Sequence, residues 1–220
     1  MFERNDVYKE YSMKNQEEEV SECNIGTTEN PKIMKLSKSL EAEQKDRYVS
    51  LIKKFADTFA WSYEYLKIFD TDIIQHKIPL KAVSKPFTQK IRQFNPMLMS
   101  IIEKELKRML DAKIIVPLRY SNWVANLVPV RKKSGEICLC VDFINLNKCS
   151  LKDNYPLPKM DHILQRVVGA HKISLLDRYS SYNHIAVCEH DKEKITLTTP
   201  WGTFMYDKMP FGLMNAGATF

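Results

Sequence analysis

The stretch WVANLVPVRKKSGEICLCVDF, residues 123–143, decides the architecture of the second half of the chain. Two apolar runs, at 123–130 and 137–143, have the length and the branched side chains that are typical of β-strands. Between them, Gly135 supplies the conformational freedom that a tight turn needs. The stretch therefore predicts a β-hairpin.

Elements on both sides of this hairpin predict an α+β fold. Four further apolar runs predict strands: KISLLD, HIAV, KITLTTP and TFMYDKM. Helical spacing of apolar residues predicts three helices, and the middle one begins with Asn95 as its cap and Pro96 at its first position. Helices interleaved irregularly with hairpins are typical of an antiparallel sheet with helices packed against it.

Each predicted helix has apolar residues along one face, which predicts that this face is buried. The three faces are Tyr48, Leu51, Ile52, Phe55, Ala56 and Phe59; Leu98, Ile101, Ile102, Leu106 and Met109; and Met160, Ile163, Leu164, Val167 and Val168. The first helix has Ser39 as its predicted cap.

The composition is that of an ordinary globular protein, with 44% hydrophobic and 27% charged residues among 220. The five cysteines have no C-x-x-C spacing, which favours a reducing compartment over a disulfide framework or a zinc site. The first residues lack the apolar stretch of a secretory signal. We therefore expect an intracellular protein, cytoplasmic or nuclear, without a membrane partner. The net charge of +6 is compatible with a polyanionic partner but does not establish one.

The first 36 residues differ in composition from the rest of the chain. They are polar and are predicted to be disordered or a linker. The other boundaries come from the resemblance described below, which implies a connector with one helix at residues 37–75 and one domain at residues 76–220.

Two features have chemistry beyond packing. Arg131, Lys132 and Lys133 follow the first strand of the hairpin, where cations can clamp a phosphate chain, although a solvated turn is the simpler explanation. Asp177 ends the run ISLLD, where a strand can present a carboxylate to solvent, although a lone aspartate there is more often a strand-end residue. Spacing alone leaves these alternatives open.

Three ordered segments resemble the reverse transcriptase of gypsy-type LTR retrotransposons. They are AKIIVPLRYSNWVANLVPVRKKSGEICLCVDFINLNKCSLKDNYPLPKMDHIL, ISLLDRYSSYNHI and TTPWGTFMYDKMPFGLMNAGATF. The resemblance covers roughly residues 76–220, and it implies an incomplete right-hand polymerase with fingers and part of the palm. Residues 37–75 resemble the connector between protease and polymerase in the same polyproteins.

The resemblance implies a metal site and a sugar-selecting residue. Asp177 falls on the catalytic aspartate of motif A, one of three that hold two Mg²⁺ ions about 4 Å apart. Such hard cations prefer oxygen ligands. Tyr182, five residues later, falls where the family places a bulky side chain under the sugar of the incoming nucleotide. Its ring would clash with a 2′-hydroxyl, which selects deoxynucleotides.

Further residues match the family's nucleotide pocket. Lys132 or Lys133 matches a basic fingertip near the triphosphate, and Phe211 and Gly212 match the turn that lines the pocket. The implied partners are deoxynucleotides and an RNA or DNA template–primer. We expect Arg119 and Arg131 to add to the nucleic-acid-binding surface.

The sequence also departs from the family. Cys138 stands where a triphosphate-binding arginine is expected, and Ile144 replaces another arginine. Loss of a hydrogen bond to a charged group costs about 1.5–3 kcal/mol. Residues 1–220 end at Phe220 without the Y-x-D-D sequence that supplies the other two aspartates, and Asp191 and Asp207 are not expected to replace them. We therefore expect this fragment to be inactive alone and not to hold Mg²⁺.

Three hypotheses remain at this point. The chain is a fragment of an RNA-directed DNA polymerase, or a non-catalytic remnant that binds nucleic acid through its basic surface, or an unrelated α+β binding protein. The order of the motifs argues against the third.

Overall fold

The computed structural model describes residues 19–131, 137–170 and 179–220. Contacts divide the chain into two compact units, Met1–Trp61 and Ser62–Phe220. We call them the N-terminal and C-terminal units. The domain boundaries after residues 36 and 75 stay a prediction. None of the helices within the described residues is long and apolar enough to span a membrane.

The N-terminal unit begins with a β-hairpin. Strands β1 (Val20–Asn24) and β2 (Ile33–Ser37) pair antiparallel. The Asn24 carboxamide oxygen accepts hydrogen bonds from the backbone N–H groups of Gly26 and Lys32, both at 2.9 Å. The prediction of disorder is therefore wrong for residues 20–36. One asparagine side chain closes this turn, and composition does not reveal such a local contact.

Gly26 allows the turn of this hairpin to close. A Cβ atom at residue 26 would lie 2.3 Å from the Asn30 carbonyl oxygen and 2.8 Å from the Lys32 nitrogen. Because both atoms belong to the backbone, we expect Gly26→Ala to destabilise the hairpin by about 2 kcal/mol. Hydrogen exchange of amides 20–37 measures this loss. Thr28→Ala, at an exposed site in the same turn, is the control and should leave the exchange rates unchanged; equal rates in both variants would contradict the prediction.

Helix α1 (Ala42–Lys54) confirms the predicted helix, but its start and burial differ. Glu41, rather than Ser39, is the N-cap, and it forms a capping box with Gln44. No residue of α1 is buried, and Leu51 is 53% exposed. The prediction of a buried face on this helix is therefore wrong. A 3₁₀ turn, Ala56–Thr58, follows.

A five-stranded sheet forms the centre of the C-terminal unit. Its strands in chain order are β3 (Ile115–Pro117), β4 (Ala125–Arg131), β5 (Ile137–Val141), β6 (Thr196–Thr199) and β7 (Gly202–Tyr206). Their spatial order is β3-β7-β6-β4-β5. The β4–β6 pair is parallel and the other pairs are antiparallel, so the sheet is mixed rather than antiparallel. A parallel pair needs a long crossover, which residues 132–195 supply.

The hairpin predicted from residues 123–143 is confirmed. In the β4–β5 pair, Leu127 lies opposite Val141 and Arg131 lies opposite Ile137. The turn itself, residues 132–136 with Gly135, lies outside the described residues.

Two of the other predicted strands are confirmed and one is not. KITLTTP contains β6, and TFMYDKM contains all of β7 except its first residue, Gly202. HIAV is instead the end of a 3₁₀ turn, Ser181–His184, followed by isolated bridges from Ala186 to Lys208 and from Val187 to His76. The predicted strand KISLLD lies outside the described residues, so it stays a prediction.

Within the residues that the structure describes, four helices accompany the sheet. They are α2 (Pro96–Asp111), α3 (Ile144–Cys149), α4 (Met160–Val167) and α5 (Ala216–Thr219), with 3₁₀ turns at Tyr63–Tyr65 and Glu189–Ile195. Asn95 caps α2 as predicted, because its side-chain oxygen accepts the Met97 N–H at 3.0 Å. Ile102, Leu106 and Met109 are buried as predicted, whereas Ile101 is exposed.

The burial predicted for α4 is wrong. No residue of this helix is buried, and Met160 and Leu164 are 67% and 54% exposed. The main core lies elsewhere, where α2 meets the sheet. Ile102 of α2, Ile115 of β3 and Leu127 of β4 are each at most 1% exposed.

Candidate functional site

Two aromatic rings that are distant in sequence meet at one edge of this core. Tyr182 lies in the 3₁₀ turn that follows Ser180, a residue with the positive φ of 47°. Its ring centroid lies 4.7 Å from that of Phe211 and 5.6 Å from that of Phe220. A Cβ atom at Gly217 would lie 3.7 Å from the Tyr182 hydroxyl. The structure therefore brings together Tyr182 and Phe211, two residues that the sequence assigns to one pocket.

Gly212 holds the turn that carries Phe211. Its φ of +94° lies in the left-handed region that favours glycine. Asn147, near the end of α3, forms hydrogen bonds to this turn with both the nitrogen and the oxygen of its carboxamide. Its nitrogen donates to the Gly212 carbonyl at 2.8 Å, and its oxygen accepts from the Met214 N–H at 2.9 Å.

A second asparagine, Asn215, joins the same segment to residues 151–153. The Asn215 nitrogen donates to the Leu151 carbonyl at 2.8 Å, and its oxygen accepts from the Asp153 N–H at 3.0 Å. Sequence reasoning missed both asparagines. Asn147 lies in the stretch VDFINLN and Asn215 follows PFGLM, so the motifs contained them, but nothing in their spacing indicated this pairing.

We expect Asn147→Ala to loosen the turn at Gly212. Two side-chain hydrogen bonds are lost, which destabilises the fold by about 1–2 kcal/mol. Denaturant unfolding measures the total, and hydrogen exchange at Met214 locates it. Asn154→Ala, at an exposed position nearby, is the matched control. Equal stability of the two variants would show that Asn147 does not hold the turn.

A cleft of about 130 Å³ opens beside Phe211. Its lining residues come from β5, α2 and the segments around them: Tyr63, Glu105, Met109, Ile137, Cys138, Leu139, Cys140, Val141, Ser180, Asn183, Tyr206, Pro210 and Phe211. Cys138, which stands where the resembled family has an arginine, thus lines the same cleft as Phe211.

In this cleft, the Glu105 carboxylate has a hydrogen-bond donor on each of its oxygens. The Tyr63 hydroxyl donates to one Glu105 oxygen at 3.0 Å, and Arg108 pairs with the other at 2.8 Å. Burial, together with the Glu105 charge, raises the pKa of Tyr63. Burial also raises the pKa of Tyr206. Both phenols therefore remain neutral at physiological pH.

The structure describes only some of the other predicted site residues. Arg119 and Arg131 are exposed, as a nucleic-acid-binding role requires. Lys132, Lys133 and Asp177 lie outside the described residues, so their positions stay a prediction.

Asp191 and Asp207, the acids considered as substitutes for the two aspartates of Y-x-D-D, form ion pairs with lysines. Asp191 pairs with Lys194. Asp207 lies 2.6 Å from both Lys192 and Lys208. Burial alone raises the pKa of Asp207, but the hydrogen bonds from the two lysines outweigh it and lower the pKa. Within the described residues, no group of three or more His, Cys, Asp or Glu side chains is arranged to hold a metal.

Known proteins of similar sequence include two that are related to retrotransposon polymerases by name. No protein-family model matches the chain. An RNA-directed DNA polymerase homolog of Oenothera berteroana is 38% identical over 82 residues, which cover 37% of this chain and 58% of that protein. The Pol polyprotein of transposon gypsy from Drosophila melanogaster is 33% identical over 138 residues, which cover 57% of this chain and 13% of the polyprotein. The chain thus matches less than two thirds of the length of either relative.

Solved structures share its fold. Protease–reverse transcriptase of prototype foamy virus matches 83% of this chain and 24% of its own, with a TM-score of 0.65 and 18% identity. The foamy viral enzyme in complex with an RNA/DNA hybrid matches 81% of this chain and 24% of its own, with a TM-score of 0.59 and 14% identity. The chain is therefore a homologue of retrotransposon Pol polyproteins, and it has the fold of part of the foamy viral protease–reverse transcriptase.

Proposed function

We propose that residues 76–220 are the fingers and part of the palm of an RNA-directed DNA polymerase, and that Tyr182, Phe211 and Gly212 line its pocket for the incoming deoxynucleotide. The contact between the Tyr182 and Phe211 rings carries this proposal. In this contact, two residues that are 29 positions apart in the sequence lie side by side, and the resemblance assigns both to one pocket. The homologues and the shared fold support the same function.

The proposed role of Tyr182 follows from its surroundings. Its ring contacts those of Phe211 and Phe220, and its backbone belongs to the 3₁₀ turn Ser181–His184. We expect these contacts to limit the movement of the ring away from a bulkier sugar. Tyr182 is therefore proposed to exclude nucleotides that carry a 2′-hydroxyl.

Asp177 is proposed to be a ligand of the catalytic Mg²⁺ ions. Its carboxylate is a hard oxygen donor of the kind that Mg²⁺ prefers. Bound Mg²⁺ would activate the primer hydroxyl and neutralise the triphosphate. Residues 1–220 contain no Y-x-D-D sequence, so polymerisation is proposed for a protein that joins this chain to such a hairpin, and not for these residues alone.

The proposed partners are a template–primer and deoxynucleotides. The foamy viral neighbour holds an RNA/DNA hybrid, which supports a nucleic-acid partner for this fold. Here, the exposed Arg119 and Arg131 are proposed to contact phosphates, and Lys132 or Lys133 to approach the triphosphate.

Sugar selectivity tests the proposal. In a chimera, residues 62–220 replace the matching part of an active gypsy-type polymerase that supplies Y-x-D-D. We expect Tyr182→Val to raise ribonucleotide incorporation relative to deoxynucleotide incorporation by about tenfold to a hundredfold, because the clash with the 2′-hydroxyl is removed. Single-nucleotide primer extension measures both rates.

Tyr179→Val is the matched control for this experiment. Tyr179 precedes the same 3₁₀ turn, but its ring lies 5.8 Å from Tyr63 instead of against Phe211. The control should leave sugar selectivity unchanged. If Tyr182→Val also leaves it unchanged in an active chimera, Tyr182 does not contact the sugar.

The alternative is a non-catalytic remnant that binds nucleic acid. The observation in its favour is that Cys138 lines the cleft where the family has an arginine. A thiol cannot form the charged, two-pronged contact that arginine makes with phosphate. An inactive parent chimera that still binds template–primer would support the remnant.

A further inference from the structure

Cys138 and Cys140 lie on the same face of β5. Side chains alternate along a strand, so residues two apart point the same way, with Cα atoms about 6.8 Å apart. Their partners across the β4–β5 pair are Val130 and Val128. Both cysteines are half-buried, and both line the cleft beside Phe211.

The surroundings of the pair favour a ligand site over a reactive nucleophile. Burial raises the pKa of Cys140, and a raised pKa disfavours the thiolate that a reactive nucleophile needs. A disulfide is disfavoured, because a Cα separation of about 6.8 Å is at the upper limit for that bond. Two thiols on one face of a strand, in the wall of one cleft, can instead exchange their protons for one soft cation.

We propose that Cys138 and Cys140 form a two-sulfur binding site for a soft, thiophilic cation of the Cu(I) class in the wall of this cleft. Soft thiolate ligands select Cu(I), whereas hard cations prefer oxygen. Binding forms two sulfur–copper bonds and breaks two S–H bonds: two thiols and one Cu⁺ give one anionic dithiolate complex and two protons. No oxidant or reductant is needed.

This site goes beyond the polymerase function and does not depend on it. A consequence for nucleotides does rest on the proposed function. Occupancy would replace two neutral thiols by a complex with one negative charge, at the place where the family has a cation. A triphosphate would then be repelled from the cleft.

Titration of the 220-residue chain with Cu(I) under anaerobic conditions, against a chromogenic Cu(I) chelator, tests the site. The parent carries Cys23→Ser, Cys149→Ser and Cys188→Ser, which leaves only the pair. We expect one tightly held Cu(I) per chain. Cys138→Ser or Cys140→Ser should weaken binding by more than the roughly 10–100-fold that loss of an outer-shell partner costs a metal site. Circular dichroism confirms that each variant is folded.

The complementary variant has serine at 138 and 140 and keeps the other three cysteines. It should not compete with the chelator. Binding by this variant as tight as that of the parent would overturn the proposal, as would unchanged binding after Cys138→Ser. Because the readout is metal affinity, failure here leaves the polymerase proposal intact, and an inactive chimera leaves this one intact.

Discussion

Asp177→Asn is expected to slow Mg²⁺-dependent primer extension by the chimera about a thousandfold. The substitution removes a negative charge but keeps the size of the side chain, so the proposed metal ligand is lost with little change in packing. Metal-ion stabilisation of a transition state is worth several kcal/mol, and about 4 kcal/mol corresponds to this factor. Single-turnover extension at saturating deoxynucleotide measures the rate of the chemical step.

Asp161→Asn is the matched control, because Asp161 is an exposed carboxylate in the first turn of α4. It should retain the parent rate. Equal rates for the two variants would show that Asp177 is not a metal ligand and that the alignment of motif A is wrong. An inactive parent chimera would count against the polymerase proposal itself.

The sheet was predictable where local sequence patterns determine it. The β4–β5 hairpin has two apolar runs of strand length around a polar turn, and both its strands and its pairing were predicted. The start of α2 was also predictable, because Asn95 and Pro96 act through contacts within a few residues. The parallel β4–β6 pair was not, since it joins segments that are distant in the chain.

Burial was harder to predict than secondary structure. The faces of α1 and α4 have the same helical spacing of apolar residues as that of α2, yet of these three helices only α2 has buried residues. Spacing shows which residues share a face, but a face is buried only where another element packs on it. For α2 that element is the sheet.

Some residues of the candidate site could be predicted from the sequence, and others could not. The resemblance assigned Tyr182, Phe211 and Gly212 to one pocket, and the structure supplies the ring contact between the first two. The resemblance could not indicate Asn147, whose hydrogen bond to the Gly212 carbonyl spans 65 residues. A neutral amide has no distinctive sequence signature. Its role depends on which backbone groups the fold brings near it.

The second large effect is expected for Asp191→Ala, which should destabilise the C-terminal unit by about 3–5 kcal/mol. Asp191 is buried, and one of its oxygens accepts the Ile78 N–H at 2.8 Å. The other pairs with Lys194, whose ammonium also donates to the Ile78 carbonyl at 3.2 Å. The ion pair thus satisfies both backbone groups of Ile78. Denaturant unfolding of the chain at neutral pH measures the loss.

Two further variants separate the causes of this loss. Asp191→Asn keeps an oxygen for the Ile78 N–H but removes the charge, so the difference between it and Asp191→Ala reports the hydrogen bond. In the double variant Asp191→Ala with Lys194→Met, no partly buried cation lacks its partner. Stability should therefore recover in part, because the effects of substitutions at contacting residues are not additive. If Asp191→Ala alone costs less than about 1 kcal/mol, which is typical of an exposed pair, the Asp191–Lys194 pair does not hold Ile78 in place.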